Sequence, residues 1–334
     1  MSDIDFVIPW VDGSDPNWLN SYNQFAPAEK RISHADAERY RDWGLLRYWF
    51  RGVEKFTPWV RTIHFVTCGQ LPEWLNVDAP KLHHVKHEDY IPKEYLPVFS
   101  SHPIELNMHR IEGLSEKFVY FNDDTFIIRP LPVERFFKNG LPCDTAVCNL
   151  LQPSSQGMLT HIMANNMAII NEHFDKHEAI RKNWRKWLNL KYGTAPIRTL
   201  LQWPWPAFSN LYEHHQPNAF LKSTFEEVWQ WYGERLKATS MTRLRSISNC
   251  SQWLMRDWQL VKGEFEPINV AADTHSYMLG NDNLSDILRD VKLQQKKMIC
   301  INDNQLPQDQ VENIRTQLTE AFESILPEKS SFEK

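Results

Sequence analysis

Residues 4–16 read I-D-F-V-I-P-W-V-D-G-S-D-P, an apolar run that stops at Asp12-Gly13-Ser14-Asp15-Pro16. A run of this length bounded by turn formers is the pattern of a buried strand entering a tight loop. The same pattern recurs downstream. Arg61 to Thr67 stops at Cys68-Gly69, Leu82 to Val85 forms a shorter third strand, Lys117 to Phe121 (K-F-V-Y-F) runs into Asn122-Asp123-Asp124, and Lys297 to Ile301 (K-M-I-C-I) breaks at Asn302-Asp303-Asn304. Helical spacing fills the intervals. Between Glu38 and Lys55 the residues Leu45, Leu46, Trp49, Phe50 and Val53 share one stripe, closed by Thr57-Pro58. Over 103–112, Ile104, Met108 and Ile111 share one face while Glu105, His109 and Glu112 share another, with Gly113 as a left-handed stop. A last helix, opened by Pro307, carries Val311, Ile314, Leu318, Phe322 and Ile325. Strands alternating with helices predict an α/β fold with a mostly parallel, Rossmann-like sheet flanked by helices.

The middle of the chain, residues 150–235, is less regular and holds Trp184, Trp187, Trp203, Trp205, Trp229 and Trp231 among several prolines. It reads as a largely helical inserted cap over the sheet. With 334 residues the chain has room for two domains or for one large one. Net charge is −5, so no global basic field recruits nucleic acid. Only 11 glycines are present, about half the roughly 23 that average usage would give. None has the spacing of a dinucleotide fingerprint, a Walker loop or a nucleophile elbow, so side chains, helix ends or a metal must hold any bound phosphate. The five cysteines form no C-x-x-C pair, and no apolar leader precedes them, which favours free thiols in a reducing cytosol.

Three strands end in acids: Asp12 and Asp15, then Asp123 and Asp124, then Asp303. Ligands of open α/β sheets bind beyond the carboxyl ends of strands, so parallel strands would gather these acids on one rim. Converging carboxylates repel unless they share a cation or a proton, and hard oxygen donors suit Mg²⁺ or Mn²⁺ bridging a diphosphate. Asx residues after a strand are also ordinary turn formers, which is the competing reading for each strand alone.

Ile4 to Trp18 resembles the first signature of the Stealth family of hexose-1-phosphate transferases. Arg39 to Asn76, with R-Y-R-D-W-G-L-L-R-Y-W-F-R-G-V-E-K-F-T-P-W-V, is similar to the start of the second, and Ser100 to Asp124 to its end. His215-Gln216-Pro217 through L-K-S-T-F-E-E-V-W and Arg243-Leu244-Arg245 resemble the third, and Met298 to Asn304 the fourth. The resemblance implies a glycosyltransferase-A-like sheet, one catalytic domain over 1–334, and a cap that forms part of the acceptor site. It implies transfer of an intact sugar-1-phosphate from a UDP-hexose or UDP-N-acetylhexosamine to a saccharide hydroxyl. The products are a phosphodiester and UMP, made in bacterial capsule or cell-surface polysaccharide synthesis. It further implies a cytoplasmic protein, with peripheral association to membrane-bound assembly machinery as one arrangement at the inner face of the membrane.

Family catalytic positions fall on Glu105, Asp124, His215 and Arg245. The chemistry wants these residue types: Arg245 as a planar clamp on developing phosphoryl charge, and Asp124 or His215 as base for the acceptor hydroxyl. For a covalent phospho-enzyme His215 is the first candidate and Asp124 the second. Asp123, Asp124 and Asp303 are the expected metal ligands. Asp12, Gly13, Asp15, Asn122 and Asn302 are expected along the substrate rim. Arg41, Asp42, Arg47, Arg110 and Lys222 are candidate nucleotide or phosphate contacts that structural ion pairing would also explain. The competing functions are a metal-dependent glycosyltransferase releasing UDP, which the acid-ended strands permit, and a non-catalytic carbohydrate-binding protein using the aromatic cap.

Overall fold

The computed structural model describes residues 3–32, 43–152, 157–303, 306 and 308–334. The expected contacts Arg41 and Asp42, like Asn304 and Pro307, lie outside them.

The strands are β1 (Ile4–Pro9), β2 (Ile63–Thr67), β3 (Leu82–Lys86), β4 (Lys117–Tyr120), β5 (Thr125–Ile127), β6 (Phe137–Lys138), β7 (Leu141–Asp144), β8 (Cys148–Asn149), β9 (Asn210–Leu211), β10 (Asn218–Leu221), β11 (Glu266–Pro267), β12 (Thr274–Met278) and β13 (Met298–Asn302). The principal sheet has the order β10-β4-β1-β2-β3, parallel except at β10, which runs antiparallel to β4. The chain leaves β1 toward β2 on one side and returns as β4 on the other. That reversal makes the carboxyl ends of β1 and β4 a topological switch point, the place where open α/β sheets have their ligand crevice.

Alternation along the strands divides the core in two. Phe6, Ile8, Phe65 and Val119 face a cluster completed by the helices α2 (Leu46–Phe56) and α12 (Gln308–Ile325). Val7, Val66, Phe118 and Tyr120 face another, built with α9 (Lys222–Ser240) and α10 (Trp253–Lys262). A sheet buried on both faces is the expected consequence of parallel strands with helical crossovers. Leu46, Trp49, Phe50 and Val53 of α2 are buried as their spacing predicts. Helix α2 closes on β5, outside the principal sheet, through Gly52, where a Cβ would meet the Ile127 carbonyl oxygen at 2.5 Å. Cys68 is exposed and the other four cysteines are buried, all as free thiols.

Three sequence expectations are corrected. A helix, α1 (Pro16–Phe25), follows the first acidic loop at once, with the Asp15 side chain accepting from the Asn17 N–H and Pro16 in the first turn. The Asp15 cap and Pro16 are a helix-start signal as well as a turn signal, and the helix is what forms. Beyond the one-turn α3 (His87–Tyr90), the predicted 103–112 helix is broken into α4 (Ser101–Leu106) and a 3₁₀ turn, Met108–Arg110. Asn107 Nδ2 donates to the Pro103 carbonyl and competes with the helical ladder there. Gly113 does take the predicted left-handed conformation, at φ +73°. Finally, β13 is not a parallel strand of the principal sheet. It belongs to a separate sheet, β12-β13-β5, antiparallel to β5 with Cys300 opposite Thr125. Its end still meets the Asp124 turn, because β5 starts directly after that turn.

Within 150–235 lie α5 (Met158–His173), α6 (Lys176–Lys182), α7 (Trp184–Trp187) and α8 (Pro196–Leu201), the helices expected there. Strand β10 and the start of α9 fall in the same interval, and β10 is part of the principal sheet. Beyond α9 and α10, α11 (Asn281–Leu293) packs beside α12.

A candidate active site at the switch point

At the end of β4, His215 Nε2 stands 3.2 Å from Asp124 Oδ2. Two further strands converge there. Asn302 Nδ2, at the end of β13, lies 3.3 Å from the same histidine nitrogen, and the Ile301 N–H donates to the Asp124 carbonyl at 2.8 Å. On β12, Ser276 Oγ donates to the His215 carbonyl and accepts from Gln216 Nε2 at 2.7 Å. The hydrogen bond to Asp124 raises His215 above the ordinary histidine value, opposed by burial and aided by the charges of Asp124, Glu105 and Asp123.

Glu105 enters from the sheet face. It is buried on α4 and its Oε1 accepts from Tyr120 Oη at 2.9 Å, while Oε2 has no hydrogen-bond partner among the described residues. The expectation that Glu105, His109 and Glu112 share a face fails, because His109 instead stacks on Phe225 behind the break at Asn107. Arg245 Nη2 donates to Ser101 Oγ at 3.2 Å, which sets an exposed guanidinium at the start of α4. Asn249 holds that loop, accepting from the Ser246 N–H and contacting His102 Nδ1.

Behind His215 sits a charged interior. Arg256 forks Asp144 at 2.7 and 2.9 Å, and His214 Nε2 is 3.1 Å from Asp144 Oδ1. Burial pushes the Asp144 carboxyl up, but Arg256 and His214 outweigh it and hold it well below the usual range. Burial also raises the carboxyls of Glu213 and Asp257, favouring their neutral forms. The adjacent histidines of the sequence thus have opposite settings, His214 buried as an anchor and His215 facing the crevice.

Conserved region 1 of the Stealth proteins matches residues 2–29, conserved region 2 matches 39–144 and conserved region 4 matches 289–334. A capsular polysaccharide phosphotransferase of Streptococcus pneumoniae, WcwK, is 41% identical over 100% of this chain and 99% of its own. An exopolysaccharide phosphotransferase of Lactiplantibacillus plantarum is 38% identical, covering 99% of this chain and 96% of its own. A receptor polysaccharide phosphotransferase of Streptococcus gordonii, WefC, is 37% identical, covering 99% and 98%. The chain belongs to the Stealth family. It is accordingly an enzyme, a phosphotransferase.

In this Stealth protein the expected site residues separate into two groups. Glu105, Asp123, Asp124, His215, Asn122, Asn302 and Asp303 lie at or beside the junction of β4, β13 and the loop before β10. Asp12 and Asp15 end β1 and are engaged locally: Asp12 Oδ1 accepts from Ser14, and Asp15 accepts from Gln70 Nε2 at 2.8 Å. Gly13 is the turn between them. Arg47 lies over the Trp74 ring and Arg110 over the Trp229 ring, at 5.5 and 4.9 Å. Lys222 follows Leu221, which pairs with Lys117, so it sits at the opposite end of β4 from Asp124. Among the described residues one cluster has metal-ligand spacing, with donor atoms of Asp124, His215 and Cys300 within 4.8 Å of one another. Burial and Asp124 push the Cys300 thiol far up, so it is held as a thiol. Sequence reasoning missed Tyr120, Ser276, Asn249 and Asp144. The first lay in the quoted K-F-V-Y-F run, and the others carried no local signal.

Proposed function

We propose that this protein transfers a sugar-1-phosphate, from a UDP-hexose or UDP-N-acetylhexosamine, to a hydroxyl of a saccharide acceptor during bacterial capsule or other cell-surface polysaccharide synthesis. The bond from the acceptor oxygen to the sugar-bearing phosphorus forms as its bond to the bridging oxygen breaks, and UMP leaves. The observation that carries this reading is the Asp124–His215 pair at the switch point of a Stealth-family sheet. The proton lost by the acceptor goes to His215, whose basicity Asp124 raises and whose imidazolium it stabilises. Arg245 clamps the equatorial phosphoryl oxygens as a planar fork. The unpartnered Oε2 of Glu105 is a ready acceptor for a donor or acceptor hydroxyl.

The chemistry of the rim suits a hard cation, since Asp124 is only partly buried and Asp123 and Asp303 are its neighbours along the turn and at the end of β13. Mg²⁺ or Mn²⁺ held by these carboxylates would neutralise diphosphate charge, with the donor atoms of His215 and Cys300 within 4.8 Å of that of Asp124. We read the chain as one catalytic domain, with the 150–235 insertion contributing to acceptor binding.

Incubation with a panel of UDP-sugars and saccharide acceptors, followed by nucleotide chromatography and phosphorus NMR, tests the reading. UMP with a phosphodiester resonance is expected. UDP release would assign an ordinary glycosyltransferase, and glycan binding without nucleotide turnover a binding protein.

A further inference from the structure

The segment α6–α8 turns an unusual face outward. Its inward side is conventional, with Ala179, Ile180, Trp187, Tyr192 and Thr199 buried, Trp187 stacked on Phe208, and Thr199 Oγ1 accepting from the Cys148 N–H. Its outward side should therefore be polar. Instead Leu190 is 93% exposed and Leu201 68%, Trp184, Ile197 and Leu200 are each more than half exposed, and Trp205, in the turn just past α8, is 58% exposed. Isolated exposed apolar residues are ordinary, but six within one short segment are not.

Charge identifies what covers them. No acidic residue occurs between Glu178 and Glu213, while Arg181, Lys182, Arg185, Lys186, Lys191 and Arg198 all lie in that interval. This runs against a chain whose net charge is −5. The Arg185 guanidinium lies 5.3 Å from the Trp184 ring, combining the two kinds of group at one spot. Lys186 and Lys191 donate to the carbonyls of Gly263, Phe265 and Pro267, whereas Arg181, Lys182, Arg185 and Arg198 are exposed. Leucine and tryptophan interleaved with these four cations fit a surface that is anionic outside and apolar just beneath. A saccharide chain would offer neither, and a second copy would bring a like-charged patch to this one. No helix among the described residues is long and apolar enough to cross a membrane, so this contact would be interfacial.

We propose that the α6–α8 face docks on anionic phospholipid bilayers. The face is wired to the active site through its backbone: Thr199 holds β8, β8 pairs with β9, and β9 runs within four residues of His215.

The test is flotation of the full chain with phosphatidylcholine vesicles containing phosphatidylglycerol, against phosphatidylcholine alone, at low and high salt. Binding to the anionic vesicles alone is expected, weakened at least tenfold by high salt, by Leu200→Glu with Leu201→Glu, and separately by Arg181→Glu with Arg185→Glu. Both double variants should keep the wild-type circular dichroism spectrum and thermal midpoint, which separates loss of docking from loss of fold. Absence of binding to anionic vesicles, or binding indifferent to both variants, would overturn the proposal. So would a concentration-dependent dimer dispersed by Leu201→Glu, which would assign the face to a second copy.

Discussion

Asp124 Oδ2 lies 3.2 Å from His215 Nε2 across 91 positions of sequence. The antiparallel register of β10 on β4 brings them together. Asn218 pairs with Tyr120, so His215, three residues before one, faces Asp124, four residues after the other. The β4–β10 ladder thus brings the turn that carries Asp124 opposite the loop that carries His215.

Replacing Asp124→Asn removes the largest contribution that raises His215. The His215 titration midpoint, followed by NMR, should move down, and turnover should fall by roughly 10²–10⁴-fold. With His215 as base, wild-type activity should be lost as pH falls through a midpoint above the ordinary histidine value. An unmoved His215 midpoint in the variant would remove Asp124 from this role.

Arg245 is exposed and its hydrogen bond is to Ser101, so its replacement should leave the fold intact. Arg245→Lys keeps the charge but loses the planar fork, and kcat should drop by roughly 10²-fold with little change in thermal midpoint. Equal kcat in the two proteins would show that the fork is not used.

Chelation by EDTA should abolish turnover, with Mg²⁺ or Mn²⁺ restoring it, while Zn²⁺ should not substitute as it would in a site including the Cys300 thiolate. Direct Mn²⁺ binding, followed by electron paramagnetic resonance, should be lost in Asp124→Asn. Full activity in chelator would exclude the metal from the reaction.

Asp144→Asn strands the buried Arg256 guanidinium without its carboxylate. A loss of about 3–5 kcal/mol in unfolding free energy is expected, measurable by urea titration. Because the folded-state value of Asp144 is depressed, its stabilisation is present above the unfolded carboxyl value and is lost as pH falls toward the folded one. The wild-type advantage over the variant should therefore shrink in acid, and a constant difference would contradict the linkage.

The C-terminal residues are as deeply committed as the core. Arg51 on α2 binds Glu333 at 2.8 and 3.0 Å, with both side chains buried. Glu333→Ala should cost about 1.5–3 kcal/mol, less than the Asp144 change because Arg51 keeps Glu323 at 3.0 Å, without altering nucleotide specificity.

The sequence by itself determined the strands at both ends of the chain, the buried stripe of α2, the family, and the residue types at the site. Apolar runs ending in Asx and Gly residues report local backbone geometry, and local geometry is what neighbouring residues can encode. Helix α1 was equally local, since Asp15 and Pro16 announce it. Only the tertiary structure decided that β13 leaves the principal sheet yet returns to Asp124, that Lys222 lies at the far end of β4, and that His214 is an anchor while His215 faces the crevice. Those outcomes depend on strand pairing and burial between residues far apart in the chain, and a residue's own neighbours carry no record of its distant partners.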